Sequence, residues 1–222
     1  MAKVYLSPSK QFDNKYAYGN TNEGVQCGKI GEACKEALER SGIEVMMEHK
    51  SVEIEDRCRH SNAWGADLHV PIHSNSFNGS VSGTRMFCYS AESKGYTACK
   101  AIFDVLAPFT PGASENIQVN QKLYELKATT MPAAYIEVDF HDVPETAKWI
   151  VEHTTEIGEK IAEGICNYFG ITYKARAVEV PSAAEKVFYQ VVAGSFSVKE
   201  NAEKRVQELK EAGFRSFIQV KK

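Results

Sequence analysis

The sequence predicts an α/β fold: a mainly parallel, twisted sheet with helices on both faces, followed by a small C-terminal βαβ unit. Three observations predict it. Short apolar runs alternate with segments of helical spacing up to Gly170, the pattern of strand-helix repeats whose crossovers cover a parallel sheet. The connections between these segments are short. After Gly170 the texture changes to an aperiodic stretch and then to a second, smaller set of strand and helix signals.

Lys3-Val4-Tyr5-Leu6 is an apolar run stopped by Ser7-Pro8-Ser9, so a strand leads into the polar surface loop Lys10 to Asn22. From Glu23 to Arg40 the residues Val25, Ile30, Ala33, Cys34, Ala37 and Leu38 recur at helical spacing, with Asn22 as N-cap and Ser41-Gly42 as the stop. Ile43 to Met47 is a second strand and Glu53 to Trp64 a second helix. Ala66 to His73 alternates, Leu68, Val70 and Ile72 on one face and His69, Pro71 and His73 on the other, and ends at the polar loop Ser74-Asn75-Ser76. Gly83 to Tyr89 is a strand, Lys94 to Leu106 a helix, and a polar connection leads to Leu123-Tyr124. Met131-Pro132 introduces the strand Ala133 to Phe140, and His141-Asp142-Val143-Pro144 turns into one long amphipathic helix, about Glu145 to Phe169.

The main domain is thus expected over residues 1–173, a linker over 174–184 and a βαβ unit over 185–222. The unit has a strand at Val187 to Val192, a charged helix at Lys199 to Ala212 and a strand at Phe214 to Val220. Fewer than about 40 residues rarely fold unaided, so this unit is expected to dock on something.

At 222 residues, 43% hydrophobic and 25% charged, the composition excludes disorder, collagen-like fibres and a disulfide miniprotein. A net charge of −3 gives no electrostatic reason to bind nucleic acid. It divides unevenly: the last 38 residues hold 8 Lys/Arg and 5 Asp/Glu, net +3, on a body of −6. No stretch approaches the roughly 18 apolar residues of a membrane span, and Met1 to Pro8 lacks the apolar region of a secretory signal. The chain is therefore expected to be made in the cytoplasm. Cys27, Cys34, Cys58, Cys88, Cys99 and Cys166 contain no CxxC pair and read as small buried apolar residues.

His73 ends a strand expected at the sheet centre, where open α/β sheets bind ligands. His69 cannot join it on one metal, because residues four apart on a strand are about 13 Å apart and zinc ligands sit about 2 Å from the ion. It is assigned a structural role. Glu137 lies in the otherwise apolar strand Ala134-Tyr135-Ile136-Glu137-Val138, where a carboxylate needs a partner or a function. Glu23 opens a helix, where a carboxylate is favoured by the dipole without any function.

Taken in order, Glu23, Arg57 before Asn62, Gly65-Ala66-Asp67-Leu68, Ile72-His73-Ser74-Asn75, Gly83, and Met131-Pro132 leading to Ile136-Glu137 resemble the zinc-dependent N-acetylmuramoyl-L-alanine amidases. These are cell-wall hydrolases of bacteria and their phages. The resemblance covers residues 2 to about 170. It implies zinc as cofactor, peptidoglycan as substrate, Glu23 and His73 as metal ligands and Glu137 as catalytic base. The bond cut would join N-acetylmuramic acid to L-alanine.

The family's first ligand, a histidine after the first strand, is missing: the chain reads Ser7-Pro8-Ser9-Lys10-Gln11. Lys10 aligns without a gap but a charged lysine is a poor ligand. Gln11 is expected to take that place through its carbonyl oxygen, with Asn14 or Asn22 as substitutes, although amide oxygens prefer harder metals. His141 and Asp139 also depart from the family. His141 is expected to orient Glu137 or stabilise an oxyanion, Asn75 to hold the His73 loop and contact substrate, and Arg57 to anchor the fold by pairing with a carboxylate.

The tail, Phe188 to Phe196 and Glu200 through Phe214, is similar to one half of a sporulation-related repeat, a module that binds peptidoglycan. Two copies from two chains would complete its sheet, which predicts a homodimer. The leading expectation is a metal-dependent amidase with a wall-binding tail, acting as a phage or prophage endolysin after release through a holin, or as part of a longer autolysin. The alternative is a non-catalytic peptidoglycan-binding protein with a degenerate site. A cysteine hydrolase using Cys88 or Cys99 lacks a nucleophile signature.

Overall fold

The computed structural model describes residues 1–50, 52–176 and 192–220. They fall into two units, Met1–Arg176 and Ala177–Lys222.

In the first unit the elements run β1 (Lys3–Pro8), α1 (Glu23–Arg40), β2 (Glu44–Met47), α2 (Ile54–Trp64), β3 (Leu68–Asn75), β4 (Arg85–Cys88), α3 (Lys94–Leu106), β5 (Asn116–Val119), α4 (Tyr124–Ala128), β6 (Tyr135–Phe140), α5 (Pro144–Glu152) and α6 (Thr154–Phe169). The strands form one sheet in the order β2-β1-β3-β6-β4-β5. β2, β1, β3 and β6 are parallel, whereas β4 pairs antiparallel with β6 and parallel with β5. β1, β3 and β6 are buried along nearly their whole length, yet only alternate residues are aliphatic, so one face of the sheet is apolar and the other carries polar and aromatic side chains.

The two faces are unequal. Leu6, Val70, Ile72, Ile136 and Val138 point into a core closed by Ile30, Leu38, Ile102, Ile157 and Ile161 of α1, α3 and α6. The opposite face, by the period-two alternation of strands, carries Tyr5, His69, His73, Tyr135 and Glu137. The small helix α4 covers part of it through Leu126, packed with Ala133 and Tyr135. α6 comes close to its neighbours at two glycines. A Cβ at Gly158 would sit 2.6 Å from Ile30 O, and one at Gly164 would sit 2.4 Å from Ile102 Cα. Gly164→Ala is therefore expected to destabilise the unit by about 1–3 kcal/mol through overpacking, seen as a lower urea midpoint at unchanged slope.

Three differences from the sequence expectation have local causes. The helix expected as one piece from Glu145 to Phe169 breaks at His153, whose Nδ1 lies 2.8 Å from Trp149 O and whose ring stacks on Trp149 at 4.8 Å. That local bond competes with the helical ladder. β5 was hidden because it is a four-residue, partly exposed strand of polar composition, and α4 because five residues are too few to show a period.

All six cysteines are buried and unpaired. Among the described residues no helix is long and apolar enough to cross a membrane.

In the second unit the described residues hold α7 (Lys199–Glu211). The strand expected at Phe214 to Val220 belongs to no ladder there. Its expected partner, Val187 to Val192, lies outside the described residues except for Val192, as does most of the expected linker.

Candidate active site

The site is assembled at the C-terminal ends of the parallel strands, beside α1. Ser9 N donates to Ile72 O at 2.8 Å, which holds the loop after β1 against β3. The loop then folds back: Glu23 N donates to Asn14 O (2.9 Å) and Gly24 N to Gln11 O (3.2 Å). Asn22 caps α1 as expected, its side chain accepting from Val25 N at 2.9 Å. These bonds bring Gln11, Asn14 and Glu23, distant by a polar loop in sequence, onto one spot.

His73 reaches the same spot from β3. Its Nδ1 is 2.8 Å from Glu23 Oε1, and Gln11 Nε2 stands 3.3 Å from both. Asn14 Nδ2 donates to Gln11 Oε1 and to Glu23 Oε2, each at 2.8 Å. Burial alone would raise the Glu23 pKa, but the hydrogen bond and positive charge of His73, with the bond from Asn14, outweigh it and hold the carboxyl below its ordinary value. For His73 burial pulls down, while the bond to Glu23 and the charges of Glu137 and Glu23 push up and win. The imidazole also stacks on Tyr135 at 4.6 Å.

Glu137 is the direct partner of His73 in the β3–β6 ladder. Its Oε2 is sealed from solvent with no hydrogen-bond partner among the described residues. Burial pushes its pKa up to about 8; the positive charge of His73 opposes this and the negative charge of Glu23 adds to it. A half-buried glutamate with one sealed, unpartnered oxygen, facing a histidine–glutamate pair, is a group poised for proton transfer.

The other expected residues are placed as follows. His141 is turned away from the centre: its Nδ1 lies 2.9 Å from Ser74 Oγ, its ring stacks on Tyr16 at 4.9 Å, and it makes no hydrogen bond to Glu137 among the described residues. Tyr16 Oη in turn lies 2.7 Å from Ser74 Oγ. Asn75 Oδ1 accepts from Ser76 N at 2.8 Å, holding the turn after β3. Lys10 forms an ion pair with Glu53 and leaves the centre to Gln11. Arg57 anchors the fold as expected but without a carboxylate: Nη1 donates to Pro8 O (2.6 Å) and Ser7 Oγ (3.2 Å), and Nε to Val52 O (3.0 Å). Tying two loops together calls for carbonyl acceptors, and the guanidinium fork finds them. His69 is fully buried between Ser61 Oγ at 3.0 Å and Glu125 Oε1 at 3.1 Å, a satisfied structural histidine. Tyr135 and the Tyr16–Ser74 link went unnoticed in the sequence. Tyr135 had a signal, since it stands two residues before Glu137 and so shares its face.

Residues 8–167 match the family model described as N-acetylmuramoyl-L-alanine amidase. The chain belongs to that family. Residues 173–222 match the SPOR domain, a span that takes in the stretch expected as linker and starts before the expected half-repeat. The sporulation-specific N-acetylmuramoyl-L-alanine amidase of Bacillus subtilis (strain 168) is 24% identical over 227 residues, covering 100% of this chain and 86% of that protein. The catalytic domain of CwlV, an N-acetylmuramoyl-L-alanine amidase from Bacillus (Paenibacillus) polymyxa var. colistinus, superposes with a TM-score of 0.69 at 19% identity, over 78% of this chain and 100% of that one. The catalytic domain of the CD27L endolysin targeting Clostridia difficile gives 0.63 at 21% identity, over 75% and 98%. These two likenesses establish a shared fold.

Membership in this amidase family raises the question of zinc. Among the described residues no three His, Cys, Asp or Glu side chains converge as a metal-holding group. What converges is one imidazole, one carboxylate and one amide, with edges of 2.8 and 3.3 Å. Ligands about 2.1 Å from a common tetrahedral ion stand roughly 3.4 Å apart, so to hold one, His73 and Glu23 would have to part from their 2.8 Å hydrogen bond and Gln11 Oε1 would have to leave Asn14 Nδ2. Gln11 turns its amino group inward; rotating the amide would present Oε1 instead. An amide oxygen in place of an imidazole predicts weaker binding and a shift toward harder ions.

Proposed function

We propose that this amidase-family chain hydrolyses the amide between N-acetylmuramic acid and L-alanine in peptidoglycan with the help of a divalent metal. Gln11, Glu23 and His73 would hold the ion and Glu137 would move the proton. One observation carries the reading: the unpartnered, buried Glu137 Oε2 directly across the ladder from His73. When bound, the metal would make water acidic and polarise the amide carbonyl. Glu137 takes the proton of the attacking water and returns it to the leaving nitrogen, so that a C–O bond forms as the C–N bond breaks. Tyr135, stacked on His73, keeps the imidazole plane fixed, and His141 acts as a positioning residue through Ser74. Asn75 borders the open side of the centre, where substrate enters.

A second reading is a non-catalytic wall-binding protein. It is favoured by the way Gln11, Asn14, Glu23 and His73 already satisfy one another's hydrogen bonds. Two measurements separate the readings. The amidase is expected to release new N-terminal alanine from purified walls, and Zn²⁺ or Mn²⁺ in excess of Kd should raise the melting temperature of the chelator-treated protein. No alanine release with any divalent ion, together with an unmoved melting temperature, would leave the wall-binding reading.

The SPOR match supports wall binding by the C-terminal unit. The likeness to an endolysin domain supports a lysis role, while the full-length similarity to a sporulation-specific amidase supports wall remodelling. Expression beside a holin should collapse culture turbidity under the first and leave it unchanged under the second. Pairing of two C-terminal units would double the sedimenting mass.

A further inference from the structure

Two hollows flank the Glu137–His73 centre. One lies on the Gln11 side, bordered by Lys10, Arg57 and Glu125. Lys10 pairs there with Glu53; Arg57 donates through Nε and Nη1 to Val52 O, Pro8 O and Ser7 Oγ, its Nη2 alone being left without a partner among the described residues, and Glu125 places a carboxylate beside it that disfavours an anion.

The other is a groove of about 280 Å³ over the ends of β3 and β6 and the outer strands, bordered by Asn75, Phe77, Arg85, Phe87, Gln118 and Phe140. None of its bordering residues is acidic. Arg85 is the direct partner of Glu137 in the antiparallel β4–β6 ladder, so both side chains leave the same face of the sheet. The guanidinium lies 5.8 Å over the Phe140 ring, and Nη2 donates to Ser114 Oγ at 2.7 Å. Nε is buried and has no hydrogen-bond partner among the described residues. The cation is thus held in place from two sides, and among the described residues it forms no ion pair and Nη1 makes no hydrogen bond, so the Nη1 edge is the part of the fork left to meet a ligand. Phe77, 75% exposed, forms an aromatic rim.

The scissile amide divides the substrate into two chemically different arms. The sugar arm offers hydroxyls and acetamido groups. The peptide arm starts with L-alanine and continues into a glutamate whose carboxyl is either free or amidated. We propose that the Arg85 groove is the subsite for the peptide arm, and that Arg85 selects stem peptides bearing a free carboxylate over their carboxamide counterparts. The selection rests on the amidase reading; the charge recognition does not. A guanidinium fork gives a carboxylate two charge-assisted bonds, whereas a carboxamide supplies one neutral acceptor and a donor that opposes the fork.

The test uses the full chain and two muropeptides that differ only in carboxylate or carboxamide on the residue after alanine. Wild type is expected to favour the carboxylate by about tenfold in kcat/KM, Arg85→Gln to bring the ratio near one, and Arg85→Lys to fall between. An unchanged ratio in Arg85→Gln, or no preference in wild type, overturns the proposal. Should Arg85→Gln fail to fold, Arg85→Lys keeps the charge but not the fork, and a wild-type ratio in that variant is equally fatal. Calorimetric titration with the two released peptides needs no turnover: the same tenfold difference in Kd should vanish with Arg85→Gln. Carboxylate-selective binding without hydrolysis would sink the amidase reading and keep the subsite. Hydrolysis without selectivity would do the reverse.

Discussion

Glu137→Gln is expected to lose about 10²–10⁴-fold in amide hydrolysis and yet melt at a higher temperature than the wild type at pH 8. Both effects come from the same carboxyl. Its proton-transfer oxygen has no partner among the described residues, and burial raises its pKa from 4.5 to about 8. Between those values the folded chain keeps a proton that the unfolded chain releases, so stability falls as pH rises through this window and levels off above about 8. The full difference is at most about 5 kcal/mol, or roughly 10–20 °C for a chain of this size. Glutamine has no charge to bury and escapes the loss. The measurement is a pair of melting curves in chelator at pH 4.5, 6 and 8. The gap between variant and wild type should widen with pH, and a constant gap would mean that Glu137 ionises freely. Metal content should stay nearly intact, because Glu137 is not assigned as a ligand.

His73→Ala should lose both metal and activity, and destabilise the chain by about 3 kcal/mol near neutral pH, because it strips the imidazole from a carboxylate that is 1% exposed and leaves it only the neutral amides of Asn14 and Gln11. The pH dependence has two limbs. Glu23, held below 4.5, contributes stability that is present above that value and lost as pH falls through its folded pKa. His73, held above 6.5, contributes stability that is present below that value and lost as pH rises through its folded pKa. The deficit of the variant should therefore be largest between pH 4.5 and 6.5, readable as the urea midpoint across that range. Equal metal loss in Glu137→Gln and His73→Ala would show that Glu137 is a ligand.

Most of the strands and helices were legible because they bury one face and so repeat with period 2 or 3.6. β1, β3, β6, α1, α3 and α6 all belong to that class, and their apolar positions meet in one core. The elements that escaped, β5 and α4, are short and partly polar. The break at His153 escaped because it depends on a side chain bonding its own helix. Within the site, His73 and Glu137 stood out as polar residues in strands that should be apolar. His141 stood out for the same kind of reason, a titratable residue at a strand end, yet its ring turns to Ser74 and Tyr16. Residue type and position do not specify a side-chain direction.

The sequence by itself determined the α/β class, the family, the pair of carboxylates and the histidine, because burial patterns and the order of motifs are properties of the chain. Only the tertiary structure decided that Gln11 and Asn14 stand on Glu23 and His73, that Lys10 is drawn off to Glu53, and that Arg85 shares a face with Glu137. Those contacts join residues that are far apart in the chain. Their distances depend on loop closure and strand register, and a one-residue slip in β4 would have turned Arg85 to the opposite face.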